Sequence, residues 1–269
     1  MKNFFVGVDS DGTAFDTMSI KHKKAFIPGI ISVWNLENIK DEVIETCEYI
    51  NLYSKNRGIN RFPGLIMTFE MLKSKGHVMP DFGELEKFVA SGKKMANKDL
   101  IEYIEENNSV ELKKVLEWSE LADEIFAREV KNLKPIENVR ETLKKAYERA
   151  GIGIISAAST KGLLEDWSNG DIIQYTDTVL GQEFGSKKVQ LAHATEGKYD
   201  SDKILMIGDA VGDLQAAKEN NALFYPIIPN KEAESWQKLN DEVLDLFFSG
   251  GYEGAAEEKL VGEFYDSLL

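Results

Sequence analysis

At 269 residues the chain is long enough to bury a sizeable core as one large domain or two moderate ones, and at 43% hydrophobic and 29% charged it has a globular composition. A formal net charge of −14 excludes nucleic acid as a partner, because phosphate backbones need a basic surface. The single cysteine, Cys47, makes no intrachain disulfide, and His22, His77 and His193 have no zinc-ligand spacing. No apolar run approaches the roughly 20 residues of a membrane span, and the start of the chain is too short and too soon interrupted by Asp9 for a signal peptide. A cytoplasmic protein without membrane partners is expected.

The first element is an apolar strand, Phe4 to Val8, running into Asp9-Ser10-Asp11-Gly12-Thr13. Gly12 marks the point where the chain turns away. Two carboxylates thus stand at the C-terminal mouth of a strand, the edge where open α/β sheets bind ligands. If Ser10 stays extended, Asp9 and Asp11 point the same way, and such a pair of like charges needs a cation or a shared proton. A long charged region with helical periodicity follows. Ile39, Val43, Ile44, Cys47 and Ile50 form one stripe, and Leu65, Phe69 and Leu72 a second. Leu112, Val115, Leu116, Leu121, Ile125 and Phe126 form one or two more. Asn56 to Pro63 reads as a loop between stripes.

From about residue 135 strands return. Val139, Leu143, Ala146, Tyr147 and Ala150 make a helix face ended by Gly151, and Ile152 to Ile155 is a short buried strand. A helix around Leu163 to Trp167, a strand at Thr178 to Leu180, a strand at Lys203 to Ile207, a helix from about Asp213 to Asn220 and a strand at Ala222 to Tyr225 complete the alternation. The stripes at Trp236, Leu239, Val243 and Leu246 and at Val261, Phe264, Tyr265 and Leu268 read as helices packed on the core, with a dimer contact as the alternative, so the expected state is monomer or homodimer. Alternating strands and helices imply a Rossmann-like α/β fold, a three-layer, doubly wound parallel sheet. The economical organisation is a split α/β domain, residues 1–16 and 133–269, with a helical domain, 17–132, inserted after the first strand.

Three later segments repeat the pattern of a buried strand followed by polar residues. Ser156 ends the 152–155 strand, with Ser159 and Thr160 beyond it. Lys187 and Lys188 lie in a glycine-containing loop before a helix. The 203–207 strand ends in Gly208-Asp209-Ala210-Val211-Gly212-Asp213. In order, this set resembles the haloacid dehalogenase superfamily of phosphohydrolases, and the inserted helices are similar in position to that family's C1-type cap. The resemblance implies a Mg²⁺-dependent phosphatase acting on a small-molecule phosphate monoester through an aspartyl-phosphate. Asp9 is then the nucleophile and Asp11 the proton carrier. Asp9, the backbone carbonyl of Asp11 and Asp209 become Mg²⁺ ligands, and Asp213 orders the metal's water or the lysine. Ser156 and Lys187 hold the phosphoryl oxygens, with Lys188 the alternative lysine and Ser159 the alternative hydroxyl, while Thr13 steadies the turn.

Substrate choice falls to the inserted helices. Arg57 and Arg61 are candidates for a substrate's anionic groups, by virtue of bidentate geometry. Ion pairs with neighbouring carboxylates are the competing reading, and His22 and Lys23 are weaker candidates. A P-loop is excluded because Thr13 stands where its lysine belongs, and a dinucleotide fold because Ser156 stands where its third glycine belongs. A sugar phosphomutase with the same core, or a binding module that reuses the fold, are the alternative functions.

Overall fold

The computed structural model describes residues 2–129 and 133–268. The chain divides into two compact units, Met1–Thr17 with Asn132–Leu269, and Met18–Lys131. In the first, five parallel strands, β1 (Phe4–Val8), β2 (Ala150–Ile155), β3 (Thr178–Leu180), β4 (Ile204–Gly208) and β5 (Leu223–Pro226), form one sheet in the order β3-β2-β1-β4-β5. β1 is central, with Val8 opposite Ile154 on one side and Ile207 on the other.

Such strands read as unbroken apolar runs because both faces of the sheet are covered. Alternation along each strand divides the side chains between two cores. Val6, Val8, Ile152, Ile154, Leu205 and Ile207 face one, packed with Trp167, Trp236 and Phe247. Phe5, Ile155, Met206 and Phe224 face the other, packed with Leu191, Leu214 and Phe264. Helices Val139–Tyr147, Thr160–Asn169, Glu232–Lys238 and Leu244–Ser249 supply the first face, and Lys187–Thr195, Val211–Glu219 and Ala255–Ser267 the second. The result is the doubly wound, three-layer core expected. One boundary differs. Ala150 belongs to β2, not to the preceding helix, because its backbone pairs with Phe4.

The second unit is helical and forms the inserted cap of this fold class. Its helices include Ile27–Trp34, Lys40–Glu48, Arg61–Ser74, Gly83–Ala90, Asn97–Asn107 and Val110–Glu129, around a core containing Phe62, Phe69, Phe88 and Trp118. The Trp118 indole N–H donates to the Phe26 carbonyl at 3.0 Å. The stripe from Leu112 to Phe126 is one helix. The loop read at 56–63 ends earlier than expected: Asn60 caps the next helix by accepting from Phe62 N–H at 3.0 Å. Pro63 is tolerated in that first turn because no intrahelical partner is lost there. Among the described residues no helix is long and apolar enough to cross a membrane.

Candidate active site

The site grows from the ends of β1 and β4, the adjacent strands at which the sheet changes direction of winding. The Asp9 N–H donates to the Ile207 carbonyl at 3.0 Å and extends the ladder by one residue. The chain then folds over on itself. The Ser10 carbonyl accepts from the N–H groups of Ala14 at 2.9 Å and Phe15 at 3.1 Å, and Gly12 takes φ 77°, a left-handed conformation that glycine adopts without strain. The chain turns at Ser10, and the two aspartates meet different partners. The Asp9 carboxylate is buried, whereas that of Asp11 is half-buried and accepts from the Thr17 hydroxyl.

Asp9, Asp209 and Asp213 are all buried, and one oxygen from each lies within 4.8 Å of the others. Lys187 enters this group from the first turn of its helix, with Nζ 2.9 Å from Asp9 Oδ2 and 2.6 Å from Asp213 Oδ1. The Thr13 hydroxyl donates to Asp209 Oδ1 at 2.8 Å. Asp213 accepts from the Ala210 N–H at 3.1 Å, which fixes it at the start of helix Val211–Glu219. Burial pushes the Asp9 carboxyl well above the usual range; Lys187 opposes this, while Asp213 and Asp209 add to it. Asp213 is raised by burial in the same way. Burial works against the Lys187 ammonium, but Asp213 and Asp9 more than offset it and hold the amine charged.

These residues fit a divalent metal. Asp9 Oδ1 is buried with no hydrogen-bond partner, an expensive state for a carboxylate oxygen unless a ligand fills the gap. The donors are all carboxylate oxygens, the set a hard cation such as Mg²⁺ takes. With the carboxylates ionised, three of them against one ammonium favour a dication over a second monovalent charge.

The other sequence candidates are placed as follows. Ser156 is buried immediately after β2, and its hydroxyl accepts from the Ala158 N–H at 3.2 Å. Ser159 is occupied as the N-cap of helix Thr160–Asn169, accepting from Gly162 N–H. Lys188 points elsewhere, 3.5 Å from Glu219. In the helical unit, Arg57 is buried and donates to the Leu52 carbonyl at 2.9 Å. Arg61 pairs with Asp123 at 2.7 Å, donates to the Ser119 hydroxyl at 2.8 Å and lies over the Phe26 ring. Lys23 donates to the Tyr53 hydroxyl at 3.1 Å. His22 lines a cavity with room for about one water, together with Cys47, Asn51, Arg61, Thr68 and Trp118. Burial first, then the charges of Lys21, Arg57 and Arg61, push its pKa down to about 3.

Three residues bond to the site without having been among the sequence's site candidates. The Trp167 indole N–H donates to the Ser10 hydroxyl at 3.0 Å, and that of Trp236 to the Thr13 carbonyl at 2.8 Å. The Gln190 amide nitrogen lies 2.9–3.0 Å from the carbonyls of Ser156, Gly181 and Gly185, tying the serine to the loop before Lys187. In the sequence the tryptophans look like core, and a lone glutamine carries no signal.

Solved structures that share this fold include the following three. A protein assigned as a beta-phosphoglucomutase from Thermotoga maritima is 14% identical, with 90% of this chain and 99% of that chain covered and a TM-score of 0.52. A protein assigned as a phosphoglycolate phosphatase from Lactobacillus delbrueckii subsp. bulgaricus is 16% identical, with 93% and 98% covered and a TM-score of 0.51. A haloacid dehalogenase-like family hydrolase from Xanthomonas campestris is 11% identical, with 94% and 96% covered and a TM-score of 0.51. At these identities the likeness is one of fold. No curated protein matches the chain. The family model of the haloacid dehalogenase-like hydrolases matches residues 83–225, just over half of the sequence. With that match, the sheet order and the aspartate cluster at its switch point, the chain belongs to the haloacid dehalogenase-like hydrolases.

Proposed function

We propose that the chain is a Mg²⁺-dependent phosphohydrolase that cleaves a small-molecule phosphate monoester in the cytoplasm, as a monomer or homodimer. In this reading residues 1–16 and 133–269 form the catalytic core and 17–132 the cap that selects the substrate. The observation that carries it is Asp9: a buried carboxylate with Oδ2 on Lys187, Oδ1 without a partner, and a second aspartate two residues on. Asp9 attacks phosphorus, the bond to the leaving oxygen breaks, and that oxygen takes the proton of Asp11. Water then attacks the aspartyl-phosphate, returns a proton to Asp11, and releases inorganic phosphate and free Asp9.

Lys187 supports this chemistry by holding Asp9 in place and offering positive charge to the non-bridging oxygens. Ser156, at the end of the neighbouring strand, is the hydroxyl suited to those oxygens. Asp9 and Asp209, with the backbone carbonyl of Asp11, would hold Mg²⁺, and Asp213 would orient the lysine or a water on the ion. The bound ion supplies charge that neutralises attacking and leaving oxygens. Arg57 and Arg61 belong to the cap; their internal partners favour a role in shaping it, and contact with substrate is the competing assignment.

The test is hydrolysis of an aryl phosphate and of a panel of phosphate esters by the purified chain. Expected are turnover with Mg²⁺, loss with chelator, and a fall of about 10⁴-fold or more in Asp9→Asn. Unchanged hydrolysis in Asp9→Asn refutes the nucleophile. Conversion of a sugar phosphate into a positional isomer, without phosphate release, identifies a mutase instead. No turnover on any ester favours a binding module.

A further inference from the structure

We propose that Trp236 is a positioning residue for Asp209, acting through Thr13, and that it sets the affinity of the site for Mg²⁺. The inference rests on Asp209 being a metal ligand. Two bonds of equal length form the link. The Trp236 indole N–H donates to the Thr13 backbone carbonyl at 2.8 Å, and the Thr13 hydroxyl donates to Asp209 Oδ1 at 2.8 Å. Trp236 and Thr13 are both fully buried, so neither bond competes with water.

Each end of this relay is fixed independently. Helix Glu232–Lys238, which carries Trp236, is tied to β5: the Tyr225 hydroxyl donates to the Ser235 carbonyl at 2.6 Å, and the Ile228 N–H donates to the Ser235 hydroxyl at 3.0 Å. The turn that carries Thr13 closes on the Ser10 carbonyl and directs the Thr13 carbonyl outward to the indole. A carboxylate held at one oxygen presents the other in a single direction. Partners of this kind typically govern metal affinity by 10–100-fold although they never touch the ion. Removing the indole N–H leaves a buried carbonyl without its donor, and the turn must shift to find another. Thr13 moves with it, and Asp209 Oδ1 loses that donor.

The experiment is calorimetric titration of the full chain with Mg²⁺, without substrate. Trp236→Phe is expected to weaken binding by about 10-fold, and Thr13→Val by about as much or more, while Thr13→Ser stays within about 3-fold of the parent. The double variant Trp236→Phe/Thr13→Val is expected to bind no more than about 2-fold more weakly than Thr13→Val alone, since both act on one path. Tyr252→Phe is the control for general destabilisation: it removes a buried hydroxyl donor from the Phe224 carbonyl and should leave affinity within about 2-fold. If Trp236→Phe does not fold, benzothiophene in place of that indole removes the N–H at constant shape.

Affinity of the position-236 variant within 2-fold of the parent, or a double variant weakened by the product of the singles, overturns the proposal. Absence of Mg²⁺ binding by the parent overturns it together with the metal reading; binding by the parent, with position 236 indifferent, overturns this inference alone.

Discussion

Gly208, the last residue of β4, leaves no room for a side chain beside Asp213. Its backbone is ordinary strand, without positive φ, so alanine is conformationally acceptable there. The space is not. A Cβ at 208 stands 2.5 Å from Asp213 Oδ2 and nearer still to Cγ and Cβ of the same residue. Ordinary contact requires the carboxylate to retreat by about 1 Å. Asp213 is completely buried and held by Lys187 at 2.6 Å and Ala210 N–H at 3.1 Å, so retreat breaks both hydrogen bonds. Overpacking contributes about 1–3 kcal/mol and the lost charged hydrogen bond about 1.5–3 kcal/mol, so Gly208→Ala is expected to destabilise by about 3–5 kcal/mol. Turnover of an aryl phosphate should fall about 100-fold, the usual consequence of a misplacement of this size. Gly212→Ala is the matched control, since nothing lies within 4 Å of its added Cβ in helix Val211–Glu219. It should be neutral or stabilising by up to about 1 kcal/mol. Denaturant titration and steady-state rates check both. A Gly208→Ala protein as stable and active as Gly212→Ala refutes the reasoning.

Lys187 and Lys188 should separate sharply. Lys187→Met leaves Asp9 and Asp213 buried without their counter-charge and is expected to destabilise by about 3–5 kcal/mol in chelator, measured by urea unfolding, whereas Lys188→Met on an exposed pair stays within about 0.5 kcal/mol. Equal effects contradict the pairing. His22 gives the pH dependence: its pKa is pushed down to about 3 in the fold and returns to about 6.5 when unfolded. The unfolded state therefore binds the extra proton as pH falls through 6.5, and the stability contributed by neutral His22 is present above that pH and lost toward pH 3. Between pH 8 and pH 5 the loss is about 2 kcal/mol. His22→Gln should lower this difference by that amount, and an unchanged difference between the two proteins contradicts the burial argument.

Much of the fold was legible because parallel strands covered on both faces leave short unbroken apolar runs, as at Phe4–Val8 and Ile204–Gly208. The helix Ile27–Trp34 was not legible. Its sequence, IPGIISVW, is apolar almost all round, so no stripe stands out against a polar face, and Pro and Gly argue against helix from propensity alone. Asp9, Lys187, Asp209 and Asp213 could be named because their motifs, each weak alone, resemble in order those of the haloacid dehalogenase superfamily. The sequence favours Lys187 over Lys188 by its spacing to Leu191, and the structure agrees: consecutive residues on a helix point about 100° apart, and Lys187 turns toward Asp9 and Asp213 while Lys188 meets Glu219. Trp236 and Thr13 touch across 223 positions, a relation that no local pattern encodes.

The placement of β1 at the middle of the sheet also bears on how the chain is made. Phe4–Val8 is synthesised long before Ala150–Ile155 and Ile204–Gly208, its two neighbours. At about 5–20 residues per second, its second partner follows by roughly 10–40 s. During that interval a β-prone apolar pentapeptide has no edge to join, while the helices of Met18–Lys131 can form from local contacts. Central position, which shields β1 from water once folding is complete, leaves it unpaired for longest while the chain is being made.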